Sequence, residues 1–342
     1  MKLLILLDYR SHFYSSVRIR GASLNLASLK DGFKQVRYEV DIKHFAEVDF
    51  RQDDYRETIV LYQSAEDPSL FYRDYIEDIL LGLLLQGAIL IPRFSLFRAH
   101  HNKVFMEIIR SLEISDDPEK CRCQAFGTYE EYRQFATIDK FPVVMKPSSG
   151  SKSHKVLIAR NRKEADKAAR KLSRTPSAFN LLLSLRNRLD RKGFTPISNH
   201  RHKFIVQRFI PNLTGDYKIV VYGEKYFVVF RENRPNDFRA SGSGRLNFPR
   251  NIPTQVLNYT KEVFEKFNVP FASIDVGYDG ETCYLFEFQF VMFGQYAVER
   301  SPWHFVQRDK QWHLTKTKTT AETELVSATH LYIKNNHLGD LL

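Results

Sequence analysis

The sequence predicts an α/β (α+β) fold, in which an N-terminal α/β layer is followed by a part built from further strands and helices. Three observations predict it. The chain opens on the apolar run KLLILLD, followed by helical and then alternating patterning. It later carries FIVQRFI, YKIVVYG and KYFVVFRE in close succession. Two acids, Asp275 and Glu287, stand inside strand-like apolar stretches near its C-terminal end. With 342 residues it is long enough for a large core and two or three domains or subdomains.

KLLILLD fits a buried parallel strand, because such strands are covered on both faces. Leu24, Leu26, Leu29 and Phe33 recur at helical spacing, and YEVDIKHF at 38–45 alternates as a strand does. That is a β-α-β opening. TIVLYQ (58–63) gives another strand, Phe71 to Leu85 a helix and GAILIPR a further strand, which completes an α/β domain over 1–97. No glycine-rich dinucleotide fingerprint follows the first strand. From Ala99 to Leu112 the pattern has a helical period, and FPVVMKP (141–147) is a strand stopped by Pro147. Helical stretches are expected around Glu164 to Leu172 and Phe179 to Leu189. FIVQRFI (204–210) reads as a strand, and the next two segments as a hairpin turning at Gly223 and Glu224. Residues 254–268 read as a helix, and FASIDVGYD and CYLFEFQF as strands.

Composition removes several classes. The longest apolar run, Ile79 to Ile91, spans about thirteen residues and contains Gln86 and Gly87, too short for a bilayer core of roughly 30 Å. No membrane span is expected. MKLLILLDYR lacks a small-residue cleavage site and runs into Asp8 and Arg10, so it reads as a first strand of a cytoplasmic protein. Cys121, Cys123 and Cys283 are odd in number and lack zinc-site spacing, which agrees with a reducing compartment. The net charge of +11 is concentrated: residues 152–203 hold fifteen Lys or Arg against three acids. Such a patch favours an anionic partner. Its only aromatics are Phe179 and Phe194, so a base-stacking platform is not evident and nucleic acid is disfavoured.

Asp275 in SIDVGYDG and Glu287 in YLFEFQF are the sharpest local feature. Period-two alternation puts Glu287 and Gln289 on one strand face and Phe286, Phe288 and Phe290 on the other. A carboxylate among apolar residues needs a partner, either an arginine or a metal; Mg²⁺ takes one or two carboxylates and fills its remaining positions with phosphate oxygens and water. Lys146 ends a buried-type strand just before SSGSKSH, where small residues let backbone N–H groups approach a phosphate. FRASGSGRLNFP (238–249) places Arg239 and Arg245 at the two ends of a glycine-serine loop that can close over an anion.

The order of these pieces, from about Ala99 to Phe293, resembles the ATP-grasp ligases. HNKVFMEIIRSL resembles the helix that supplies a first phosphate-contacting lysine, Lys103. FPVVMKPSSGSKSHKV is similar to the strand, second lysine (Lys146) and phosphate-covering loop, with Ser148, Ser149, Gly150 and Ser151. FIVQRFIPNLTGDYKIVV resembles the hinge that holds adenine around Gln207, Arg208, Phe209 and Ile210. Within that stretch Asp216 stands at the ribose position and Lys218 where many members have arginine. VVFREN and DFRASGSGR resemble the arginine-bearing segment of the branch with glutathione synthetase and the ribosomal-protein glutamate ligase, which makes Arg231 and Arg239 contacts of phosphate or substrate. Asp275, Glu287 and Gln289 match the magnesium ligands, although Gln289 and Ser241 replace common asparagines.

The resemblance implies an N-terminal substrate domain (1–97) before a two-subdomain ATP-grasp fold, the small subdomain with a basic insertion at 98–203 and the C-terminal subdomain with the metal site at 204–342, with ATP and Mg²⁺ (Mn²⁺ as the alternative metal) as cofactors. The activity it implies is ADP-forming, acyl-phosphate-mediated joining of a carboxylate to an amine or thiol. The expected substrate is an anionic small molecule or polymer precursor, and a homo-oligomer is left open. Three other readings stand beside it: a kinase of an anionic polyol, a nucleotide-binding pseudoenzyme, and a protein that binds an acidic polymer. His100, His101 and His154 are candidate phosphate contacts, though packing histidines are the plainer reading. Tyr9, Arg10, Arg18, Arg20, Gln63, Ser64 and Glu66 are positional candidates for the acceptor.

Overall fold

A computed structural model describes the chain apart from residues 15–22, 65–69, 115–122, 151–154, 176, 178, 181, 184–185, 188–194, 236, 317–318 and 339–342. It divides into two compact units, one formed by 1–100 with 213–342 and the other by 101–212.

In the first unit β1 (Lys2–Leu7) pairs in parallel with β2 (Glu39–His44) and β3 (Ile59–Leu61), and β3 pairs with β4 (Ile89–Ile91). The near-continuous apolar run of β1 has a simple cause. Leu3, Ile5 and Leu7 enter one core and Leu4 and Leu6 another, so both faces of the strand are covered. Helix α1 (Leu26–Gln35) sends Leu29 and Phe33 into the first core, and α2 (Phe71–Leu85) sends Ile76, Leu80 and Leu83 into the second. A short α3 (Phe94–Ala99) follows.

The periodic stretch 99–112 is not one helix. His100 to Asn102 interrupt it, and α4 (Lys103–Glu113) starts afresh with Asn102 as its N-cap, the amide oxygen accepting from Phe105 N at 3.3 Å. The rest of the second unit comprises β5 (Cys123–Phe126), α5 (Tyr129–Phe135), β6 (Val143–Pro147), β7 (Leu157–Ala159), α6 (Arg162–Ser173) and β8 (Phe204–Arg208). Its strands run β5-β8-β6-β7, all antiparallel, over a core that includes Tyr132, Met145, Ala169 and Phe204. Because β8 pairs with β5 and β6, it belongs to this unit and not to the segment beginning at 204 where the sequence placed it. Of the helix expected over 179–189, the described residues Phe179, Asn180, Leu182, Leu183, Arg186 and Asn187 are helical.

Back in the first unit are β9 (Gly215–Tyr222), β10 (Lys225–Glu232), β11 (Leu246–Asn247), α7 (Thr254–Phe267), β12 (Phe271–Tyr278) and β13 (Cys283–Gln289). Then come α8 (Tyr296–Arg300), β14 (Trp303–Arg308), β15 (Gln311–Lys316) and α9 (Ala321–Asn335). Among the described residues the antiparallel order is β13-β12-β9-β10-β14-β15, with β11 beside β10. The β9–β10 hairpin turns at Gly223 and Glu224, as its sequence predicts. Phe267 of α7 packs on Phe288 and Phe290, with ring centroids 4.6 and 4.7 Å apart. Leu325 and Val326 of α9 complete the core around α1.

Candidate active site

In the second unit the structure gathers the predicted phosphate residues around the end of β6. Lys103 Nζ donates to the Gly150 carbonyl at 3.0 Å, and Lys103 N donates to the Ser148 carbonyl at 2.8 Å. Ser148 is buried and its hydroxyl donates to Asn102 Oδ1 at 3.1 Å, so one cap residue holds both the helix start and the loop start. Gly150 has φ +127°, a conformation that favours glycine. Lys146 Nζ donates to Gln207 Oε1 at 2.7 Å; β6 and β8 place Val144 opposite Gln207, and Lys146 is two residues further along the same face. Gln207 is buried and its Nε2 meets no acceptor among the described residues. At the start of β6 and the end of β8 a recess of about 170 Å³ is lined by Gln124, Lys140, Val143, Val206, Gln207 and Arg208. Arg208 is exposed, Phe209 half-buried and Ile210 buried. Ser151, His154, Arg18, Arg20, Glu66 and Cys121 lie outside the described residues.

In the first unit the predicted acids share one face of four neighbouring strands. Register sets Arg231 (β10) opposite Asp216 (β9), Lys218 (β9) opposite Asp275 (β12), and Glu287 and Gln289 (β13) opposite Asp275 and Ser273. Arg231 is buried and consumed by carboxylates. Its Nε and Nη2 donate to Asp216 Oδ1 and Oδ2 at 2.6 and 2.8 Å, and Nη2 also donates to Asp275 Oδ2 at 2.6 Å. Lys218 Nζ donates to Ser273 Oγ at 2.5 Å and stands 3.6 Å from Asp275 Oδ1. A side chain on Gly215 would collide with the Arg231 carbonyl, its Cβ falling 2.2 Å from that oxygen, so the close β9–β10 approach that seats Asp216 requires glycine.

The electrostatics follow from one guanidinium shared by two acids. Burial works to raise the Asp275 pKa, but Arg231 and Lys218 outweigh it and hold the carboxyl below its usual value. Burial wins at Asp216, whose pKa is pushed up against the pull of Arg231, with the Asp275 charge adding to the rise. Burial opposes the charge of Arg231, yet the two carboxylates keep its pKa above the ordinary value. Tyr296, at the start of α8, senses the same cluster: burial pushes its phenol up to about 12 while Arg231 pulls it down. Sequence reasoning missed Tyr296 and Ser273. Ser273 was legible as the residue two before Asp275 on the same strand face, whereas nothing local marks Tyr296.

Two expectations change. Phe286 does not share the apolar face with Phe288: the β12–β13 register slips between Asp275 and Val276, leaving Phe286 as the extra residue of a bulge, half-buried against Gly277. Arg239 turns to Asp237, with Nε–Oδ distances of 3.0 and 2.9 Å, and Arg245 Nη2 lies 2.5 Å from Glu232 Oε2. The glycine-serine loop is thus held by its own ion pairs, with Gly242 and Gly244 at φ +74° and +75°.

The donor set fits a magnesium ion. Asp275 Oδ1 is buried and lacks a hydrogen-bond partner, and Glu287 and Gln289 stand beside Asp275 and Ser273 on the same face. Among the described residues no three His, Cys, Asp or Glu side chains cluster as a metal site. Two carboxylates and an amide suit an ion that completes its shell with water and phosphate better than one needing an all-protein cage.

No protein-family model matches this sequence, and no curated protein does. Solved structures do resemble it. D-cycloserine synthetase DcsG superposes with a TM-score of 0.55 at 12% identity, covering 97% of this chain and 99% of that one. A RimK domain ATP-grasp protein from Sphaerobacter thermophilus gives 0.52 at 12% identity, covering 96% and 99%. Macrocyclase MdnC from Microcystis aeruginosa, bound with the precursor peptide MdnA, gives 0.51 at 13% identity, covering 98% and 100%. The chain therefore has the ATP-grasp fold, over nearly its whole length. Among the described residues no helix is long and apolar enough to cross a membrane.

Proposed function

We propose that this protein is an ATP-dependent carboxylate–amine ligase that works through an acyl-phosphate. The observation that carries the reading is the row of Asp216, Arg231, Lys218, Asp275 and Glu287 across one sheet face of a chain with the ATP-grasp fold. In the first step a substrate carboxylate oxygen attacks the γ-phosphorus of ATP and ADP leaves. In the second an amine attacks the acyl carbon, phosphate leaves, and the amine loses a proton.

The chain's part is mostly placement and charge. Lys103 and Lys146 take phosphate charge. Gln207 to Ile210 hold the base at the hinge, where the unmatched Gln207 Nε2 is a ready donor. Asp275, Glu287 and Gln289 would hold Mg²⁺, which would supply positive charge to the transferring phosphoryl group. In this reading Arg231 moves from direct ligand contact to holding Asp275, and Asp216 to fixing Arg231. Arg239 offers the phosphoryl group the N–H donors that Asp237 does not take. The fold is shared with a macrocyclase solved with its precursor peptide, so peptides with acidic side chains belong among the carboxylates to be tried.

The test is Mg²⁺-dependent ATP turnover by wild type and Glu287→Ala against a panel of carboxylates, acidic peptides and amines, with ADP and free phosphate both followed. Equal ADP and phosphate, appearing only with a matched carboxylate and amine and lost in the variant, is the expected result. Phosphate retained in a stable phosphorylated product would make the protein a kinase, and nucleotide binding without turnover a pseudoenzyme.

A further inference from the structure

The two oxygens of Asp275 are not equivalent. Oδ2 accepts from Arg231 at 2.6 Å, while Oδ1 is closed off from solvent without a hydrogen bond and faces Lys218 Nζ at 3.6 Å. Lys218 is itself buried and anchored by its hydrogen bond to Ser273 Oγ. An ammonium at that distance offers Oδ1 charge but no bond. It also covers the one oxygen of this carboxylate that Arg231 leaves for a cation.

We infer that Lys218 is a resident counter-cation on Asp275, standing where a divalent metal acts and displaced from the carboxylate when the metal arrives. This rests on the magnesium reading of Asp275 and Glu287. The consequence is a coupling between ligands. Metal binding to the bare protein must work against a positive charge already in place, and the displaced ammonium is then available to an anion such as a nucleotide phosphate. Each ligand therefore strengthens the other by the same factor. A lysine suits this role because its flexible stem lets a compact charge move between partners, which a planar guanidinium pinned by two carboxylates does not.

The experiment measures Mn²⁺ binding by the loss of the free-ion EPR signal, on full-length protein without nucleotide, for wild type, Lys218→Gln, Ser273→Ala and Glu287→Ala. Lys218→Gln is expected to bind Mn²⁺ about tenfold tighter than wild type, a change of about 1.4 kcal/mol. Ser273→Ala, which frees the ammonium to leave, shifts affinity in the same direction and keeps the question open to test if the first variant does not fold. Adding a non-hydrolysable ATP analogue is expected to shrink the gap between wild type and Lys218→Gln. Unchanged or weaker binding in Lys218→Gln and Ser273→Ala, with Glu287→Ala abolishing it, would overturn the counter-cation and leave the metal site standing. No Mn²⁺ binding by wild type would overturn both.

Discussion

Arg231 shows how far a single residue can be read from sequence. Its place after KYFVVF was legible, as were the acids Asp275 and Glu287. Its partners were not, because they depend on the β9–β10 register that sets Arg231 opposite Asp216. Arg231 compensates two buried carboxylates at once. Replacing it with methionine is expected to cost about 3–5 kcal/mol, since two buried acids lose their counter-charge. A urea midpoint close to that of wild type would show that the clamp is not structural. His304 is a second test. Its ring is buried against Phe227, its Nδ1 has no hydrogen-bond partner, and burial followed by the Lys225 charge pushes its pKa down. The unfolded state therefore binds the proton first as pH falls. Stability linked to this group is present above the ordinary histidine pKa of about 6.5 and declines as pH drops through it. His304→Leu should flatten the fall in denaturation midpoint between pH 7 and 5; an unchanged slope would assign that fall to other groups.

Elements with strong periodicity and ordinary turns were legible almost to the residue, as with α2 and the β9–β10 hairpin. The β14–β15 hairpin escaped notice because its turn residues are Asp309 and Lys310, both at positive φ, where glycine or asparagine is the usual signal. Every residue of β15 is also exposed or half-buried, so it lacks a clean apolar alternation. The stretch from Ala99 to Leu112 misled for the opposite reason: its helical period is real on both sides of a break that only the Asn102 cap reveals. That cap joins α4 to the loop after β6 through Phe105 N and Ser148 Oγ. Asn102→Ala is expected to lower stability by about 1 kcal/mol and to weaken ATP binding by loosening Lys103 and Ser148 together. Loss of stability with unchanged ATP affinity would separate the cap from the site.

For the whole molecule, the α/β opening and four strands of the later antiparallel sheet, β9, β10, β12 and β13, were visible in the sequence, and the grouping of residues into units was not. Residues 1–100 and 213–342 form one unit, around cores drawn from both. No local signal could announce a core shared by Leu29 and Leu325. Residues 101–212 have a core of their own in Tyr132, Met145 and Phe204. A fragment of that span is expected to unfold in urea as one cooperative transition, and a gradual, featureless melt would contradict its independence. The local excess of positive charge also falls in this unit, where Lys163, Lys167, Arg170 and Lys171 line the exposed side of α6.

The most direct measurement of the central claim is chemical capture of the activated carboxylate. Wild-type protein, ATP, Mg²⁺ and the carboxylate panel are incubated with hydroxylamine in place of the amine, and hydroxamate is followed beside ADP. The ligase reading expects hydroxamate in step with ADP for at least one carboxylate, abolished in Glu287→Ala. ADP released with no hydroxamate from any carboxylate, and with phosphate carried off on a stable product, would contradict it.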